Sequence, residues 1–323
     1  MRTVRTDVTF VSNGLTPTGH RHTPESRAGH PLPAIVVIHP WGGVQEQPAG
    51  LYARRPTEAG FAALAFDAAH QGASEGERRF LEHPVQRAGD IKSAVSYLST
   101  RKDLAPDRLG ALGISTSGHA VYAAMSDHRI RAVGTASAAC LGSLLRVRLG
   151  GGQDPAAFRD PVACAGLLRV AEALGEPTVL EQHRARGSRR NDTGPSPAGH
   201  ECYRTAHGAH LRCENAWVLR RVDQIAQSDS FAGIELLAPR PLLMIVGSEA
   251  STAHAGRTAV ERVGVPTELF WIDGTSRFDL HGEDEYVSPP SPRSPSSSVS
   301  ARPATRFKTE RPESPRTQAR STT

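Results

Sequence analysis

The chain is 323 residues long, enough for one large domain or two small ones around a sizeable core. Its net charge of +5 comes entirely from residues 288–323, which hold seven Lys/Arg against two Asp/Glu; the remainder carries 31 of each sign. The body therefore lacks the basic excess that specific nucleic-acid binding requires, and only the tail could make weak polyanion contacts.

The opening reads as two antiparallel strands, DVTFVS and LTPTGHRHT, turning at Asn13-Gly14, a dipeptide that accepts the positive φ angles of a tight hairpin. Four nearly continuous apolar runs follow, at 34–40, 61–67, 108–114 and 130–137. Helical stretches near 46–60, 86–99 and 117–126 separate them, the first containing Pro56, which removes a helix hydrogen bond. Runs of this kind fit strands covered on both faces, hence a parallel sheet. Residues 140–230 break the pattern: rich in Arg, Gly and Pro, with weak helix signals and no strands. Alternation resumes with a strand at 241–247, a helix near 253–264 and a strand at 268–273. The expected fold is α/β, a mostly parallel eight-stranded sheet flanked by helices. Core segments 1–139 and 231–287 enclose an inserted cap at 140–230. Residues 288–323, with seven prolines, nine serines and two large apolar side chains, are too poor in core formers to fold and read as a disordered tail.

No apolar run approaches the roughly 18 residues of a membrane span, and the start does not read as a signal peptide. Cys140, Cys164, Cys202 and Cys213 show no C-x-x-C spacing, which argues against a zinc site or redox pair. The expectation is a cytoplasmic protein without metal, cofactor or membrane partner, acting on a small molecule; its oligomeric state is left open.

The chemistry concentrates at Gly113-Ile114-Ser115-Thr116-Ser117-Gly118, between an apolar run and an alanine-rich helix. A strand, a tight turn of small residues and a helix together expose a serine as a nucleophile, so Ser115 is the candidate. His39-Pro40-Trp41-Gly42-Gly43, after the third strand, resembles an oxyanion loop. The N–H groups of Trp41 and Thr116 are the expected donors to a developing oxyanion.

These segments, with DIKSAVSYLSTR, ECYRTAHGAH and LLAPRPLLMIVGSEASTA, resemble the α/β-hydrolase superfamily, and within it the dienelactone-hydrolase-like and polyketide-transferase-like branch. The resemblance covers most of residues 5–287 and implies ester or other acyl chemistry through a serine or cysteine nucleophile. It also marks departures. Where the family carries the aspartate that orients its histidine, this chain has Ser251, with Glu249 the nearest acid. Where the family carries the histidine base, it has Arg277, which cannot accept a proton; His281 lies four residues on. His70, His119 and His254 read as surface or turn residues. After Val287 the family's final helix is replaced by the Pro/Ser/Arg tail, as an altered reading frame would produce. Three readings follow: a serine hydrolase of reduced activity working through Ser115, Glu249 and His281, a non-catalytic relative that keeps the pocket for binding, or a truncated or frame-altered inactive relative with no selected function.

Overall fold

A computed structural model describes residues 2–25, 29–116, 118–147, 154–182, 197–205, 208–263, 266–282 and 301–302. The hairpin forms at Asn13-Gly14. Both residues take positive φ, 48° and 81°, and Ser12 and Leu15 exchange backbone bonds of 2.8 and 2.9 Å across them. The strands it joins, β1 (Thr3–Thr9) and β2 (Thr18–Pro24), pair antiparallel.

Then come β3 (Leu32–Ile38), α1 (Pro48–Glu58), β4 (Ala62–Phe66), α2 (Pro84–Ser99), β5 (Leu104–Ile114), α3 (Gly118–Ser126) and β6 (Ile130–Ala136). Residues 140–230 contribute α4 (Leu141–Val147), α5 (Arg159–Ala173), β7 (Leu180–Gln182), α6 (Pro197–Arg204), β8 (Ala216–Val218) and α7 (Val222–Ala226). The core resumes with β9 (Leu242–Gly247), α8 (Ala253–Val263), β10 (Thr267–Ile272) and a single turn, α9 (Asp279–Gly282). The expectation of an insertion without strands is corrected: β7 and β8 form a small antiparallel ribbon there. The expected tail falls outside the described residues apart from Ala301–Arg302, β11, which pairs antiparallel with β10.

The sheet order is β1-β2-β4-β3-β5-β6-β9-β10-β11, and the six strands from β4 to β10 run parallel. All eight expected strands lie in it. Alternate side chains explain its two cores. Val36, Leu64, Ala111 and Met244 face α2, α3 and α8, whereas Val37, Ala63, Ala65 and Ile114 lie under α1 with Tyr52. Pro56 sits in the last turn of α1, where the loss is confined to a bond to the Tyr52 carbonyl; its own carbonyl accepts from the Ala59 and Phe61 N–H groups at 3.0 Å. On the α1 side the cover stops short of β9 and β10. Leu243 is 37 % exposed, and Ile245 and Phe270 are only partly buried.

Strand order sets the location of the site. From β3 the chain steps to β4 on one side, then to β5 on the other, so winding reverses between β3 and β5. In open α/β sheets, ligands bind outside the carboxyl ends of the strands at such a point. Trp41 and Ser115 follow those two ends.

Candidate active site

Ser115 follows directly on β5 with φ of 60°, a left-handed conformation that costs a non-glycine residue about 1–3 kcal/mol and needs surrounding structure to hold it. Two backbone bonds do so: the Ser115 N–H donates to Ala136 O (2.8 Å), and the Ala139 N–H donates to Ser115 O (2.7 Å). Behind it, α3 begins at Gly118, where a Cβ would stand 2.5 Å from the Ser230 Cβ. The close approach that a nucleophile turn needs is thus supplied by Gly118; Ser117 lies outside the described residues. Ser115 is 8 % exposed.

The facing wall is the turn after β3. The Gly43 N–H closes it onto Pro40 O at 3.0 Å, and Gly42 takes φ of 66° at its third position. His39 locks the turn from below. One ring nitrogen, Nδ1, donates to Pro40 O (2.7 Å) while Nε2 accepts from the Ala68 N–H (3.1 Å), which fixes one neutral tautomer. Burial, and next the nearby Arg87, hold its pKa well below the ordinary histidine value. Arg87 binds His39 O (3.0 Å) and is itself paired inside the protein with Glu82. Among the described residues, neither the Trp41 N–H nor the Thr116 N–H is used in a hydrogen bond. Two unengaged donors at the switch point are what stabilisation of an oxyanion demands.

Residues 208–221 brace this turn. The Asn215 amide (3.3 Å) and Cys213 thiol (3.1 Å) both donate to Gly42 O, and Gln47 Nε2 donates to Gly208 O (2.7 Å). Trp41 stacks on Trp217 with ring centroids 4.4 Å apart, and the buried Arg221 guanidinium lies 4.6 and 5.0 Å from the two rings. Burial pushes Arg221 down to about 9, against the pull of Glu181 and Glu82. Sequence reading missed this stack because Trp41 and Trp217 are far apart in the chain.

The acid and base positions are arranged differently. Ser251 and Glu249 are exposed, and the Glu249 backbone N–H bonds to Thr275 O (3.0 Å). Arg277 lays its guanidinium over the Phe278 ring at 4.4 Å; burial lowers its pKa, Tyr203 and Cys202 opposing. His281, in α9, is 2 % exposed. Its Nδ1 lies 2.8 Å from the Tyr203 hydroxyl of α6, and its Nε2 is buried without a hydrogen-bond partner among the described residues. Hence no hydrogen bond joins the His281 Nε2 to Ser115, and the phenol of Tyr203 stands where an acid would orient the ring. Desolvation, then the Arg277 charge, pushes His281 down to about 3. The reading of His119 as a surface or turn residue is corrected: it is 1 % exposed within α3, and burial lowers it to about 4 while Glu82 opposes. His70 is a turn residue with φ of 72°, although buried, and His254 is exposed.

Comparison with known proteins places this geometry among relatives. The family model described as X-Pro dipeptidyl-peptidase (S15 family) matches residues 21–223. The chain is 30 % identical to protein PA2218 of Pseudomonas aeruginosa over 287 residues, covering 85 % of this chain and 75 % of that one. The crystal structure of PA2218 superposes with a TM-score of 0.82 at 27 % identity, covering 88 % of this chain and 90 % of that one. Protein YcjY of Escherichia coli K12 is 32 % identical over 261 residues, 79 % of this chain and 84 % of its own. The α/β hydrolase GrgF from Penicillium shares the fold, with a TM-score of 0.72 at 19 % identity over 85 % and 92 % of the two chains.

Proposed function

Because the chain belongs to the X-Pro dipeptidyl-peptidase (S15) family of α/β-hydrolases, we propose that it transfers the acyl group of an ester-like small molecule to Ser115 and then to water. The observation that carries this reading is the strained Ser115 turn facing the unengaged Trp41 and Thr116 N–H groups across the β3/β5 reversal. The Ser115 oxygen attacks the acyl carbonyl, whose oxygen takes negative charge between the two donors. The carbonyl re-forms as the leaving oxygen departs with a proton, and water repeats the sequence on the acyl-enzyme. Residues 140–230 act as the cap over the pocket. The dienelactone-hydrolase-like resemblance and a cytoplasmic setting belong to the same reading.

Turnover is slow in this reading. The Nδ1 of His281 lies on Tyr203, Glu249 is exposed and Arg277 fills the family's base position, so among the described residues the candidate base and acid are not assembled on the serine. Loss of triad members leaves about 10³–10⁴-fold catalysis over water from donors and binding alone. The same observation favours the second reading, a binding protein that keeps the pocket without turnover. A fluorophosphonate probe and aryl-ester hydrolysis separate the two. Covalent labelling at Ser115 and a weak esterase rate abolished by Ser115→Ala support the enzyme. A protein that neither labels nor hydrolyses is the binding relative, and labelling elsewhere overturns the role of Ser115. Arg277→His is expected to raise the rate, more so with Ser251→Asp added, because base and acid act as a unit.

A further inference from the structure

A cavity of about 350 Å³ lies on the α1 side of the sheet between the N-terminal hairpin and α1. Its lining includes Arg5 of β1, His20 and His22 of β2, Glu46, and Arg54 of α1. The sheet register separates it from the catalytic serine. His20 is level with Ala65, Val37 and Leu112 on the next three strands, and Ser115 lies three residues beyond Leu112. Three strand spacings and three residues of rise come to about 17 Å.

The carboxylates here have partners. Glu46 pairs with Arg212 and lies 3.9 Å from His20 and 3.8 Å from His210. Asp7, an exposed residue outside the lining, is 3.4 Å from His20 and 4.0 Å from Arg5. Arg54 bonds only weakly to its own helix, through Nε to Gly50 O at 3.3 Å, and no acid is paired with it among the described residues. His22 is 5 % exposed, and its buried Nε2 has no hydrogen-bond partner among the described residues. The wall thus offers one uncompensated guanidinium, a second shared only with an exposed acid, and imidazole nitrogens from an adjoining strand. Guanidinium groups and imidazoles converging from three elements suit a tetrahedral oxyanion, which accepts several hydrogen bonds at once. The volume exceeds that of the anion and leaves room for a small organic body.

We propose that this cavity binds a small organic phosphate, with Arg5 and Arg54 holding the phosphate group against His20 and His22. Binding is independent of the acyl chemistry at Ser115. Isothermal calorimetry at fixed ionic strength, with inorganic phosphate and with glycerol 3-phosphate, tests it on the full chain. Both should bind at one site per chain, glycerol 3-phosphate at least threefold tighter. Arg54→Gln, at an exposed position that leaves folding intact, should weaken both at least tenfold; Arg5→Gln should do the same from another element. Ser115→Ala should change neither. Absence of saturable heat, affinity unaltered by both arginine variants, or binding lost with Ser115→Ala overturns the site. Equal affinity for the two probes overturns the organic ligand in favour of free phosphate.

Discussion

Lowering the pH from 7 to 5.5 should strip this protein of about 3 kcal/mol of stability, a loss that follows from its buried imidazoles. His22 and His119 are held down to about 4 and His281 to about 3, in each case chiefly by desolvation. Unfolded, each returns to about 6.5. A histidine whose folded pKa is depressed leaves the unfolded state binding more protons, so its contribution is intact above about 6.5 and lost as pH falls towards the folded value. Linkage then gives a loss of about 1.2 kcal/mol per residue between pH 7 and 5.5, near 4 kcal/mol for the three. Asp67 works the other way. Burial raises it to about 6 despite bonds from the Ala73 and Gln45 N–H groups, so the folded state gains a proton over the same interval and returns about 0.8 kcal/mol. His39 is lowered in the same sense as the three histidines and Asp90 is raised in the opposite one, both by burial first, and the net is a large part of a typical folding free energy of about 5–15 kcal/mol. Urea titrations followed by tryptophan fluorescence at pH 7.0, 6.25 and 5.5 measure it. His119→Asn should remove roughly two fifths of the pH slope, whatever it does to the stability at pH 7. A free energy constant within about 1 kcal/mol across the range would refute desolvation as the state of these histidines.

Tyr203→Phe deletes the hydroxyl that meets His281 Nδ1 and leaves that nitrogen buried without a partner, which should cost about 1–3 kcal/mol by urea denaturation. The histidine side-chain NMR signals should shift with it. Gly118→Ala places a methyl 2.5 Å from the Ser230 Cβ and 3.1 Å from Ala139 O. The overpacking should cost about 1–3 kcal/mol and displace the turn that carries Ser115, so fluorophosphonate labelling should slow along with the fall in thermal midpoint.

Much of the fold was legible because the relevant signals are local. Asn13-Gly14 announces its own reversal, and the apolar runs of β3 to β6 are long and bounded by turn residues, so each appears close to its expected place. The turn carrying Ser115 was legible for the same reason. What escaped depends on contacts distant in sequence. β7 and β8 are three residues each and exist through each other, so neither carries a period long enough to detect. Tyr203 meets His281 across 78 residues of chain. His119 was misread although the run HAVYAAM is apolar nearly all round; such a helix is buried on most sides, and its histidine goes in with it.

The insertion holds the turn after β3 through Cys213, Asn215 and Trp217 and holds α9 through Tyr203, so it cannot be exchanged as a free module. With residues 140–230 as the proposed cap over the pocket, a graft taken from a relative would change the lining and at the same stroke remove the braces of Trp41 and His281. On that proposal selectivity and rate are inherited together. A chimera that changes the first while sparing the second has to keep these four residues and vary only the chain between them.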